Sequence, residues 1–289
     1  LFKKVNRSIG TTVQPTYYRE RLHEAATGTE DTKQEVLTKD FNIWQTGRIT
    51  KWIKSERIRP LQIDRRIEDC KYGDGWNVFV GMDFSQGDDL FAITYLAVDY
   101  RPSDTMAGRF FADTDLWVLE STMNDSPNRQ LYEIWQQQGW LHVCPGKVFQ
   151  PSMFIARTKE LLGKGCQFMY WGYDKYQSKD PINSLLAFLQ SDMNVQKPEM
   201  YVQVVSQLNS EFNAPTDDLY AAMFAPVPFI TFSPSPLWPW CFGNCVLEID
   251  GRENKRPVKR SQSDSCKVDP VQALIMALDL YERYEGTQH

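Results

Sequence analysis

Three aspartates stand at positions where a carboxylate needs a reason. Asp83 closes the apolar run Val78, Phe79, Val80, and a second apolar run restarts at Leu90 just after Asp88 and Asp89. Asp174 closes the run "FMYWGYD", and Asp269 precedes Pro270 and the helically spaced Val271, Leu274, Ile275 and Leu278. An ionised carboxylate at the end of a buried strand is costly unless something neutralises it. Each has an ordinary reading: a turn or ion pair for Asp83, a polar loop for Asp174, a helix cap for Asp269. Taken together, three hard oxygen ligands without a His or Cys pattern suit Mg²⁺ or Mn²⁺. Two such ions roughly 4 Å apart would support phosphodiester cleavage. Asp88 and Asp89 are placed to orient a ligand, bind the second metal or cap the next strand.

Other chemistries are poorly supplied. Of 289 residues only His23, His142 and His289 are histidines. The six cysteines (Cys70, Cys144, Cys166, Cys241, Cys245 and Cys266) lack a zinc pattern and read as reduced thiols. No Gly-x-x-x-x-Gly-Lys-Ser/Thr loop occurs, so no nucleotide site is expected. The formal charge of −5 gives no global nucleic-acid footprint. Locally, Arg252, Lys255, Arg256, Lys259, Arg260 and Lys267 face only Glu253 and Asp264. That stretch reads either as a solvated loop or as an arm contacting phosphates. No apolar run is long enough for a membrane span. The start "LFKKVNRSIG" has no signal-like apolar core and no initiator Met, which suggests a fragment or a processed chain.

The elements that must carry the aspartates follow from pattern. Residues 1–75 read as polar and mostly helical, with a break at Gly28 and a further helix over "TGRITKWIKSERI". Strands are expected at Asn77–Phe84, Asp89–Asp99 and Arg109–Ser121, joined by short polar connections that suit antiparallel neighbours. Helices are expected after Ser126 as N-cap, over Pro151–Leu162 and over "DPINSLLAFLQ", with strands at "QFMYWGYD" and "EMYVQVVS". Strand alternating with helix implies parallel pairing there. The stretch from Leu208 to Pro239 reads as a loop rich in Pro and aromatics, with "SPSPLWPW" as core cover or partner surface. The sum is an α/β mixed sheet flanked by helices, the layout of the ribonuclease H-like group. If the strands ending at Asp83 and Asp174 are neighbours, both carboxylates project into one crevice.

The chain resembles the nuclease domain of the large terminase subunit of tailed bacteriophages. The segments that carry the likeness are "FVGMDFSQGDDLFAI", "QGWLHVCPGKVF", "WGYDKYQ" and the closing stretch from "PLWPWCFGNCVLEID" to "KVDPVQALIMAL". The resemblance implies Asp83, Asp174 and Asp269 as metal-binding catalytic acids, Asp89 as a further metal residue, and Lys259 as a basic catalytic residue. Pro270 stands where that family usually has Gly. It further implies a ribonuclease H-like domain over 76–289, preceded by a helical remnant of an ATPase half over 1–75.

The expected activity is two-metal cleavage of concatemeric double-stranded DNA during viral packaging, with Mg²⁺ or Mn²⁺ as cofactor. The arm Arg252, Lys255, Arg256, Lys259 and Arg260 would contact phosphates without reading sequence. Expected partners are DNA, the small terminase subunit, the portal and further copies of the chain, in the host cytoplasm at the procapsid portal and with no membrane. Two rival readings stay open: another ribonuclease H-like nuclease of the resolvase or integrase type, and a non-catalytic DNA-binding or portal-docking module.

Overall fold

The computed structural model describes residues 14–27, 32, 36, 40–41, 48–84, 90–175, 178–260 and 265–288. Helix α1 (Pro15–Thr27) ends at the expected break, Gly28 itself lying outside the described residues. There follow β1 (Arg48–Lys51), α2 (Ser55–Ile58), β2 (Trp76–Asp83), β3 (Phe91–Asp99), β4 (Phe110–Leu119), α3 (Glu120–Asp125), α4 (Arg129–Gln137) and β5 (His142–Cys144). The chain continues through α5 (Pro151–Gly163), β6 (Phe168–Tyr173), α6 (Lys179–Ser191), β7 (Val202–Val204), α7 (Asn209–Phe224) and β8 (Ile230–Phe232). It closes with α8 (Leu237–Asn244), β9 (Cys245–Ile249), β10 (Lys255–Lys259) and α9 (Asp269–Gln288).

The described residues form a seven-stranded mixed sheet in the order β5-β4-β3-β2-β6-β7, with β8 pairing β4 beside β5. The pairs β2–β3 and β3–β4 are antiparallel, while β2–β6, β6–β7, β4–β5 and β4–β8 are parallel. The expected ribonuclease H-like layout is therefore present. Strand β4 is buried throughout and β3 at all but its last residue, because helices cover both faces. On one face Val78, Val80 and Met82 of β2 pack with Phe154 and Leu161 of α5 and Leu185 and Phe188 of α6. On the other, Phe79 packs with α7, α8 and α9.

Three local expectations give way. The helix expected over "TGRITKWIKSERI" is instead strand β1 followed by the short α2. Arg48–Lys51 pairs antiparallel with β9, which also pairs β10 in a second sheet of order β1-β9-β10. Ile49 and Thr50 are β-branched and suit a strand, and the partner lies far along the chain, where no local pattern records it. Ile53 and Ile58, just after β1, enter the main core. The loop expected over 208–239 is a helix, a strand and a helix start. Pro215 sits inside α7, and Leu237 and Trp238 of "SPSPLWPW" are fully buried, so that stretch is core. Asn128, not Ser126, is the N-cap of α4; the Ser126 hydroxyl instead accepts the Asn128 amide at 3.1 Å.

Helix α9 is held against β2 with no space to spare. A Cβ on Gly81 would lie 1.7 Å from the Ala273 carbonyl oxygen and 3.1 Å from the Ala277 nitrogen. Only a glycine allows helix and strand backbones to meet this way. At Gly172 of β6 the obstacles are side-chain atoms of Leu280 and Val205, both 2.9 Å away. Between α7 and α9 lies a cavity of about 250 Å³ walled by Leu96, Phe110, Leu219, Leu274 and Leu278. Asp218 and Glu282 line the same cavity; burial, then Asp218 and then Asp279 push the Glu282 carboxyl up to about 8.

Two consequences are measurable. Gly81→Ala should lower unfolding stability by at least about 3 kcal/mol, beyond the usual overpacking cost, whereas Gly172→Ala should cost only about 1 kcal/mol because side-chain ends can yield. Equal denaturant midpoints for the two variants would contradict the backbone contact. Glu282 has a folded pKa above its ordinary value, so its contribution to stability is complete below about 4.5 and is lost as pH rises to about 8. Glu282→Gln should therefore flatten the decline in thermal stability between pH 5 and 8, and an unchanged pH profile would rule this out.

Candidate active site

The alternation along β2 and β6 decides where their terminal acids point. Phe79 meets the rings of Tyr281 and Tyr284 of α9 at 5.5 and 5.6 Å, and Gly81 meets Ala273. Asp83 is the next residue on that face, because side chains alternate with period two. In β6, Gly172 faces Leu280 of α9, so Asp174 continues the same face. The register pairs Met82 with Tyr173, leaving Asp83 and Asp174 as the next residues on adjacent parallel strands. Neighbouring strands lie about 5 Å apart, so the two acids leave the sheet side by side.

Helix α9 runs antiparallel to β2, with Tyr281 and Tyr284 over Phe79 and Ala273 over Gly81. Its first residue, Asp269, therefore lies toward the Asp83 end. Two strand residues and one helical turn both advance about 6 Å, which keeps the acids level. Asp83 and Asp174 are partly exposed, while Asp269 is 4% exposed. The Oδ2 atom of Asp269 is buried and accepts no hydrogen bond, although the residue engages in other interactions. Burial pushes the Cys241 and Cys245 thiols upward, and the nearby Asp269 charge adds to the rise.

Hard oxygen donors, one of them a buried oxygen accepting no hydrogen bond, fit a divalent cation in chemical type. Among the described residues, however, no three His, Cys, Asp or Glu side chains are grouped closely enough to hold a metal. Asp88 and Asp89 lie outside the described residues.

The basic residues divide. Lys259 ends β10 opposite Cys245, and the following Arg260 donates its amide to the Asn244 carbonyl at 2.8 Å. The Asn244 side chain donates in turn to the Lys267 carbonyl at 3.3 Å. The end of β10 and the approach to Asp269 are thus tied to one buried asparagine. Arg252 and Arg260 are exposed. Lys255 instead pairs with Asp217 at 2.9 Å, and Arg256 with Glu248 at 2.7 Å and the Gln207 carbonyl at 2.8 Å. These two members of the expected arm are engaged within the chain.

Sequence reasoning passed over Lys267 as a site residue. It is 3% exposed and two residues before Asp269. Its signal was the Lys-x-Asp spacing at a helix start. The buried acids of β4, Asp113 and Asp115, also escaped notice. They alternate with Thr114 and so face away from α9. Asp113 accepts from Arg66 Nε at 3.0 Å and the Ile67 amide at 2.9 Å. Asp115 accepts from Arg157 Nε at 2.8 Å and the Tyr95 hydroxyl at 2.9 Å. Burial alone would raise the Asp115 carboxyl, but His142 and Arg157 hold it down to about 2. Both acids thus take their counter-charges, Arg66 and Arg157, on the face away from α9.

The sequence profile of the terminase large subunit endonuclease domain matches residues 12–285. No curated protein sequence matches the chain. Among solved structures, the large terminase of bacteriophage HK97 is 16% identical with a TM-score of 0.64, over 96% of this chain and 53% of that one. The present chain thus spans about half the length of that relative. The magnesium-bound large terminase nuclease of thermophilic phage G20c is 12% identical with a TM-score of 0.43, covering 80% of this chain and 96% of that one. The manganese-bound large terminase nuclease domain of bacteriophage SPP1 is 13% identical with a TM-score of 0.35, covering 78% and 93%. The profile match takes in Asp83, Asp174 and Asp269 together, and the chain belongs to the terminase large subunit endonuclease domain family.

Proposed function

We propose that the chain is a metal-dependent endonuclease that cuts concatemeric double-stranded DNA during viral genome packaging. One observation carries the reading: in a member of this family, Asp83 and Asp174 leave adjacent strands on the face where α9 begins with Asp269. Asp83, Asp174 and Asp269, not grouped closely enough as they stand to hold an ion, would draw together around two Mg²⁺ or Mn²⁺ ions, with Asp89 as a further ligand. When bound, such ions activate the attacking water and stabilise the leaving oxygen of an in-line displacement.

The chain's own residues supply the rest. The partly exposed Asp83 and Asp174 open to solvent, where a phosphodiester can approach, while the buried Asp269 closes the inner side. Lys259 offsets negative charge that grows on the phosphoryl oxygens. Arg252 and Arg260, both exposed, contact the backbone phosphates of the duplex and carry no sequence information. Lys255 and Arg256 would join them only by giving up Asp217 and Glu248. In the full motor, the small subunit, the portal and further copies of the chain act as partners at the procapsid in the host cytoplasm. The nuclease domain proper is taken as residues 76–289, with 1–75 joining it to an ATPase half.

Plasmid cleavage tests the reading. Supercoiled DNA should become nicked and linear with Mn²⁺ or Mg²⁺ but not with EDTA. Asp83→Ala, Asp174→Ala and Asp269→Ala should each reduce the rate by at least about a hundredfold, the scale set by losing a main electrostatic contributor. Metal-dependent nicking that survives any of these substitutions at full rate would sink the assignment. Arg252→Ala with Arg260→Ala should weaken duplex binding and lower the slope of log affinity against log salt by about 2. An unchanged slope would remove these two arginines from the DNA interface.

A further inference from the structure

Thr94 is a polar residue on a face of β3 that is otherwise Ala92, Leu96 and Val98, and it is fully buried. It pairs with Gly81, the residue over which α9 makes its backbone contact. A buried hydroxyl costs stability unless bonded, so an apolar residue of similar size would pack there more cheaply. The Thr94 hydroxyl oxygen lies 3.1 Å from the Pro270 carbonyl oxygen and 3.1 Å from the Thr114 hydroxyl oxygen. A hydroxyl has one proton, and the carbonyl has none to give, so Thr94 donates to Pro270. The Thr114 proton then goes to Thr94 or to the Ile93 carbonyl at 3.3 Å.

The consequence lies one residue away. Pro270 carries no amide proton, so the first turn of α9 is tied down by the Val271 and Gln272 amides, which reach back to the Val268 carbonyl at 2.8 and 3.2 Å. The bond from Thr94 adds a tie from the sheet to that same turn. Because Asp269 is joined directly to Pro270, fixing this carbonyl on β3 fixes where the Asp269 carboxylate starts. The strand that supplies the tie is hydrogen-bonded to β2, whose last residue is Asp83.

We propose that Thr94, supported by Thr114, is a positioning residue that registers Asp269 against Asp83 and thereby sets divalent-metal affinity. The inference rests on the proposed metal-dependent function and names the part of the scaffold that spaces its ligands. Groups that orient metal ligands from behind typically change affinity by about 10–100-fold when removed.

The test is Mn²⁺ titration calorimetry on the full chain, with Thr94→Val and Thr94→Ser beside the wild type. Hydrogen exchange of the Val271–Leu274 amides is followed in metal-free protein. Thr94→Val should bind Mn²⁺ at least about tenfold more weakly and exchange faster at these amides, while Thr94→Ser, which keeps the hydroxyl, should match the wild type within about twofold. If Thr94→Val fails to fold, Thr114→Val, which removes the supporting hydroxyl, should show the same weakening in smaller degree. Wild-type affinity in the valine variant would overturn the inference while leaving the nuclease reading intact. Equal weakening in valine and serine variants would also overturn it, since packing rather than the hydroxyl would then be at work. A wild type that binds no Mn²⁺ and cuts no DNA would instead overturn the proposed function, and this inference with it.

Discussion

The contact between the backbone of α9 and Gly81 is the constraint from which the rest follows. Helices normally pack on sheets through side chains, about 10 Å from the strand plane. Here the carbonyl of Ala273 occupies the space where a Cβ would be, so the helix cannot shift, tilt or rotate without losing the fit. That fixes the level at which the helix begins relative to the end of β2. An aspartate at the first helical position and one at the last strand position then share one rim. The separation of the acids is thus a property of the scaffold rather than of the loops around them.

The sheet also sorts its carboxylates. On the face opposite α9, Asp113 and Asp115 receive Arg66, Arg157 and the Tyr95 hydroxyl. Removing one partner of such a buried pair is costly, about 3–5 kcal/mol, because the other charge is stranded. On the α9 face, Asp269 keeps an oxygen buried and accepting no hydrogen bond. The two sets lie on opposite sides of the same few strands, so the arginines that serve one face do not reach the acids of the other.

Much of this was legible in the sequence because the decisive signals are local. The ends of β2 and β6 show as apolar runs terminated by Asp83 and Asp174, and the Asp-Pro pair marks the start of α9 as a helix onset should. What escaped depends on distant partners or on residues that contradict their element. Arg48–Lys51 looks helical among its polar neighbours and becomes a strand only because Val246–Ile249 offers an edge. The Pro and aromatic content of 208–239 reads as a loop, yet in α7 the buried Phe212, Leu219 and Met223 outweigh the backbone bond lost at Pro215. Thr94 could not be singled out at all, since a threonine in a strand is ordinary until its carbonyl partner is seen.

Asn244 gives the site a form of modularity. Its backbone oxygen takes the amide of Arg260 and its side chain reaches the carbonyl of Lys267, so the chain leaves and returns to one residue. A span closed in this way can change length at small entropic cost, each doubling adding only about 0.6 kcal/mol. The length of the sequence between these two anchors is therefore uncoupled from the placement of Lys259 before the first and Asp269 after the second.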